Sequence, residues 1–306
     1  MRQGLFNDNA RVQFAGHETF PLRLLWLKKA HDAVAGGAPV GTFTEQEAIA
    51  TFGVGRNMAA SMRYWAVACG FVTESDRFLK PTPIADAILS EGGFDPYIEQ
   101  PSTTWLAHWH IAATSEMTTT AYFAFNGLTV IEFDPDSLVS ELSVLAASRG
   151  WRATRGTLKR DVEVFLRSYV RRGGAQSEDA AEPLLGELGL IREARLGGWY
   201  EFVRGPKPTL HDGIFAFALH DYWRRMGGGA LTAEQVSYAP GSPGRIFKLD
   251  EDSVVTRMMA LPKLTRGAWG WTDTAGLRQI HRIEDMDPLS LVAAAYDVGA
   301  EREKAA

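Results

Sequence analysis

The segment FAGHETFPLRLLWLKKA, residues 14–30, sets a histidine beside a carboxylate at His17 and Glu18 and follows them with Arg23, Lys28 and Lys29. An imidazole next to a carboxylate can take and return a proton, and nearby cations would hold a phosphodiester, so acid/base catalysis on such a bond is one reading. The other is a helix start, with Thr19 as N-cap, Pro21 in the first turn and Glu18 near the positive dipole end. In IEFDPD, alternate residues of an extended segment share a face, so Glu132 and Asp134 have the spacing of a metal-ligand pair. A polar loop with Asp-Pro turn chemistry explains them equally well. His108 and His110 diverge on a helix and read as packed, hydrogen-bonded histidines. Asp161 and Glu163 also diverge, and lie close to a basic run, so both read as salt-bridge partners. No GxxxxGK[ST], HExxH or GxSxG pattern occurs. Cys69 is the only cysteine, which excludes an intramolecular disulfide and a cysteine-rich zinc site, and it sits in an apolar stretch as an inert thiol would.

The 306 residues carry a formal net charge of −5, with 45% hydrophobic and 23% charged residues. This is the balance of an ordinary globular protein. No apolar run reaches the roughly 18 residues of a membrane span. The N-terminal MRQGLFNDNARVQF lacks the apolar core of a secretory signal, so the expected location is cytoplasmic, with no membrane. The charge is unevenly placed. Residues 48–73, 142–160 and 254–272 contain no Asp or Glu. The second window holds Arg149, Arg152, Arg155, Lys159 and Arg160, and the third holds Arg257, Lys263 and Arg266. Such windows suit faces turned toward phosphates, although solvated faces cluster charge too.

These residues need elements to hold them. A helix is predicted from Arg23 to Val34, a second one after Thr44, and a third from Arg56 to Cys69 with Gly70 at its C-terminal end. Short β pieces follow around 75–77, and TPIADAILSE closes the unit as a helix. That order is the order of a winged helix-turn-helix, with Arg56, Asn57 and Arg63 on the outward face of its reading helix. The middle of the chain reads as helical and aromatic, with residues 120–128 open between helix and strand and 137–150 a helix. Residues 157–172 form another helix, and 174–183 read as a flexible loop. A short helix and a hairpin turning at Gly197-Gly198 come next. LTAEQVSY, a glycine-bounded turn, a helix and a hairpin over 268–283 suggest a second winged-helix-like unit, whose helix starts with Asp250, Glu251 and Asp252 and is a poor reader of DNA. The expected class is mainly α with small β-hairpins (α+β). The expected domains are an N-terminal winged-helix DNA-binding domain over 1–92, a helical middle region over 93–175 and a C-terminal α+β domain over 176–306.

HETFPLR, WLKKA, GVGRNM and RYW occur in that order, and DPYIEQPSTTWLAHWH (95–110) continues the pattern. On these motifs the chain resembles the SspB family over most of its length. The resemblance implies a bacterial protein that nicks one strand of double-stranded DNA within a single-stranded phosphorothioate modification and anti-phage defence system. It would act beside a cysteine desulfurase, an ATPase and an ATP-pyrophosphatase-like enzyme. The reaction type leads us to expect a divalent ion, Mg2+ or Mn2+. The resemblance carries over no catalytic residue. Two other classes stay open: a non-catalytic winged-helix adaptor or transcriptional regulator of that system, and a protein-interaction adaptor docking through the aromatic middle region. Nine Trp and 16 Phe also permit a homodimer interface.

Overall fold

The computed structural model describes residues 5–296 except residue 8 and residues 45–46, 76–77, 171–182, 196 and 275. Residues 76–77 of the tip expected around 75–77 and most of the loop expected at 174–183 thus lie outside the described residues. The chain divides into two compact units, Met1–Val203 and Arg204–Ala306. The boundaries expected after residues 92 and 175 both fall inside the first.

The first unit opens with a loop and then α1 (Trp26–Ala35), which buries Trp26, Leu27, Ala30, His31 and Val34 along one stripe. A 3-10 turn (Val40–Phe43) and α2 (Glu47–Phe52) lead to α3 (Arg56–Ala68). The antiparallel hairpin β1 (Val72–Ser75) and β2 (Phe78–Pro81) follows, then α4 (Pro83–Leu89), capped by Thr82 Oγ1 accepting from Ala85 N. Gly70 ends α3 with φ +71, and any β-carbon there would meet the His110 ring at 2.9 Å, so backbone and packing both require glycine.

Next come α5 (Pro101–Ala113), α6 (Thr119–Gly127), β3 (Glu132–Phe133), α7 (Pro135–Arg149) and α8 (Arg155–Tyr169). A 3-10 turn (Leu184–Leu188) precedes β4 (Ile191–Arg195) and β5 (Trp199–Phe202), and the three strands form an antiparallel sheet in the order β3-β5-β4. Nearly every residue of α5 is buried, because apolar and small residues cover all its sides. Trp105, Trp109, Phe123, Phe125, Phe133 and Tyr169 fill this core. The aromatic middle region is therefore interior packing rather than the docking surface of a protein adaptor. His108 Nδ1 lies 2.7 Å from Tyr169 Oη, the packed histidine the sequence predicts.

Two local expectations change. α1 starts at Trp26 with Leu25 at its N-cap, so Thr19 caps no helix and Pro21 lies outside it. Residues 120–128, open between helix and strand, belong to α6 up to Gly127.

The second unit holds α9 (Asp212–Met226), β6 (Ala230–Thr232), α10 (Ala233–Tyr238), α11 (Pro243–Ile246), α12 (Glu251–Leu264), β7 (Trp269–Thr274), β8 (Leu277–Arg282) and α13 (Pro288–Ala293). Its antiparallel sheet has the order β6-β8-β7. Trp223, Trp269, Phe215 and Tyr222 form its core. Among the described residues no helix is long and apolar enough to cross a membrane.

Candidate functional site

The loop before α1 is backed by α3, α6 and α8. Three of its non-glycine residues, Ala15 (φ 62), Glu18 (φ 47) and Thr19 (φ 70), adopt left-handed backbone. Each such residue costs about 1–2 kcal/mol, so the surroundings must over-determine the shape. Asp161 on α8 does much of this. Its Oδ1 accepts from Ala15 N at 2.6 Å and from His17 Nε2 at 2.8 Å, and its Oδ2 accepts from Thr120 Oγ1 at 2.6 Å. His17 Nδ1 accepts from Thr19 N at 3.2 Å, which leaves Nε2 carrying the ring proton given to Asp161. Trp65 Nε1 donates to Phe20 O at 3.0 Å, and Arg167 donates to Thr19 O at 3.4 Å. The His17 ring stacks on Trp65 and meets the Tyr64 ring edge-on, at centroid distances of 6.2 and 6.0 Å. A β-carbon at position 16 would sit 2.4 Å from the Tyr64 ring, so the motif needs its glycine for this approach. Tyr64 Oη donates to Met117 O at 2.5 Å. Burial, followed by the nearby Asp161 charge, lifts the Tyr64 phenol well above its ordinary range.

This geometry corrects the acid/base reading of His17. Both ring nitrogens are engaged, the residue is 4% exposed, and the cavity beside it, about 20 Å3, has room for one water and no substrate. Glu18 differs: it is exposed on the outer side of the strained turn. Asp161 is corrected as well, since it faces inward to the loop rather than to the basic run. The sequence did contain a signal for it. Leu158, Asp161, Val162 and Phe165 fall on one helical stripe, and a lone acid on an apolar stripe needs buried donors. Thr120 and Tyr64 gave no such signal.

The expected phosphate contacts divide into two groups. Arg56 and Asn57 are exposed at the start of α3, where Gly55 offers no side-chain cap and the helix N–H groups stay open. Lys29, Arg152, Arg155, Lys159 and Arg160 are exposed too. Lys29 reaches Phe52 O at 3.3 Å and Arg155 reaches Ser140 Oγ at 3.5 Å. The remainder are engaged within the protein. Arg63 pairs with Glu74 on β1 at 3.1 Å. Lys28 donates to Asp32 at 2.7 Å and to Leu89 O at 3.0 Å. Arg149 holds Phe6 O at 2.7 Å, and Arg23 lies over the Phe20 and Trp26 rings.

The metal-ligand reading of Glu132 and Asp134 does not fit the geometry. Asp134 Oδ1 accepts from Asp136 N and Ser137 N, both at 3.0 Å, as the cap of α7, and Glu132 sits opposite Glu201 in the β3–β5 pair. Asp161 already accepts from three donors. Among the described residues no three His, Cys, Asp or Glu side chains come together as a metal site. Cys69 is fully buried and its thiol is pushed far up, so it offers no thiolate. Across α8 from the loop, an open cleft of about 310 Å3 is lined by Asp136, Lys159, Glu163, Arg167, Glu193 and Tyr200.

A family described as "Protein of unknown function (DUF4007)" matches residues 14–296. Among solved structures, one titled "Magnesium ion-bound SspB crystal structure" superposes with TM-score 0.82 at 25% identity, covering 97% of this chain and 90% of that one. A second, "SspB crystal structure", gives 0.81 at 26%, covering 96% and 89%. No curated protein matches in sequence.

Proposed function

The chain belongs to the DUF4007 family and is SspB-like, and from that premise we propose that it binds duplex DNA and nicks one strand as part of a bacterial phosphorothioate modification and defence system. In this reading Trp26–Leu89 acts as a winged helix-turn-helix. α3 enters the major groove with Arg56 and Asn57, and the β1–β2 hairpin is the wing. Lys29, Arg152, Arg155, Lys159 and Arg160 take phosphates. The desulfurase, ATPase and ATP-pyrophosphatase-like partners would use the nick in the cytoplasm.

The observation that carries the reading is the strained loop. Three left-handed residues, tied to a buried carboxylate through Ala15 N and the His17 ring, present Glu18 to solvent. Glu18 is the group we place at the scissile phosphate. Nicking is hydrolysis: a water oxygen bonds to phosphorus, one P–O bond to the sugar breaks, and the leaving oxygen takes up a proton. The Glu18 carboxylate can receive the proton that water loses. His17 and Asp161 are positioning residues that hold the turn. Mg2+ or Mn2+ would supply charge neutralisation, and the neighbouring structure's title names magnesium bound to SspB. Among the described residues no three His, Cys, Asp or Glu side chains come together to hold it.

One observation favours a second reading. Both ring nitrogens of His17 are sealed, which suits a DNA-binding adaptor or regulator without catalysis. The two part on supercoiled plasmid. A nickase gives open circles that Glu18→Gln abolishes, whereas an adaptor gives a gel shift and leaves the plasmid supercoiled.

A further inference from the structure

The β1–β2 hairpin has two unlike faces, and its register separates them. Ser75 pairs with Phe78, Glu74 with Leu79, Thr73 with Lys80 and Val72 with Pro81. Residues directly opposite share a face, and successive residues of a strand alternate between faces. Val72, Glu74, Leu79 and Pro81 therefore share one face. There Val72 is buried, Leu79 and Pro81 are half-buried, and Glu74 pairs with Arg63 of α3 at 3.1 Å. The other face carries Thr73, Ser75, Phe78 and Lys80, all exposed. At 72%, Phe78 is the most exposed aromatic ring among the described residues. A lone apolar residue at a surface needs no explanation. Here the company is specific: a ring, an ammonium and two hydroxyls, none of the four acidic, in a chain of net charge −5. Those are the groups that meet a base step and its flanking phosphates. The hairpin is also tied down. Thr73 Oγ1 donates across it to Lys80 O at 3.3 Å, and the Arg63–Glu74 pair fastens its inner face to α3.

We propose that Phe78 is a wedge that enters a base step of duplex DNA from the minor groove, with Lys80 on a phosphate beside it. The inference rests on the duplex binding proposed above and adds what the hairpin does there. Apolar wedges of this kind partly unstack a step and kink the duplex by about 20–90°. Phe78 touches bases and no reacting atom, so it is a positioning residue. The kink it makes opens one strand's backbone to hydrolysis.

The test uses the full chain and a short duplex with a fluorophore at each end. Gel shift reads affinity, and energy transfer at saturating protein reads the bend. Wild type should raise the transfer. Phe78→Ala should melt within about two degrees of wild type, as an exposed substitution does. It should bind about tenfold more weakly and give no rise in transfer once saturated. Phe78→Leu still offers an apolar wedge and should keep most of the bend. Lys80→Ala should keep the bend and lower the logarithmic salt slope by about one. A wild-type bend from saturated Phe78→Ala, or a wild type that binds without bending, overturns the wedge and leaves duplex binding standing. If Phe78→Ala bends duplex fully yet binds single strands tenfold more weakly, the ring serves unpaired bases and the wedge is overturned. A wild type that shifts no duplex overturns the proposed function and the wedge together.

Discussion

His17 and Asp161 act on their neighbours through geometry, and their replacement should show it. His17→Ala removes one of the three donors to a buried carboxylate and frees Thr19 N, so we expect a loss of about 2–4 kcal/mol in urea unfolding. Glu18→Gln should leave stability within about 0.5 kcal/mol, as an exposed substitution does, while removing activity. Thr19→Gly separates strain from contact. It should stabilise by about 1 kcal/mol by relieving the left-handed backbone, and slow nicking by loosening the turn. Tyr64 and Tyr169 add a pH signature. Both phenols are raised above the ordinary value of 10.0 by burial, so the unfolded chain ionises first. The stability they contribute is complete below pH 10 and is lost as pH climbs toward their folded values. Tyr64→Phe should flatten the alkaline arm of a stability-against-pH curve, and an unchanged arm would refute the assignment. The histidine–glutamate pair was legible in the sequence as chemistry, but its roles were not. Nothing local shows that Asp161, 144 residues away, holds the imidazole.

At the scale of elements, turn signals read well. Gly70 and Pro83 sit where helices end or begin, and the hairpins at 191–202 and 269–282 form around their glycines. Elements that packing decides read less well. α9 is apolar nearly all round and has no narrow stripe, so periodicity left it unassigned. The start of α1 moved because Thr19 belongs to a strained turn that propensity cannot foresee. The helix expected at Arg56 does begin there, yet its charge was misjudged, because Glu74 lies just beyond the acid-free window and folds back onto Arg63. Arg56→Ala with Asn57→Ala should therefore weaken duplex binding at least tenfold and lower the salt slope by about one ion. Arg63→Ala should do less. Equal losses would show that the Glu74 pair opens in the complex.

At the scale of the molecule, a chain with net charge −5 can bind a polyanion only if its cations are segregated. If the exposed Lys29, Arg56, Arg152, Arg155, Lys159 and Arg160 each take a phosphate, they contribute roughly five to the logarithmic salt slope. A slope near zero would end the nucleic-acid reading altogether. The most direct measurement of the central claim uses supercoiled plasmid, purified protein and Mg2+ or Mn2+, with an EDTA control, comparing wild type with Glu18→Gln. The account predicts metal-dependent open circles from wild type, none from Glu18→Gln, and the same gel shift from both. Open circles from Glu18→Gln at the wild-type rate would contradict it and move the chemistry away from the strained loop.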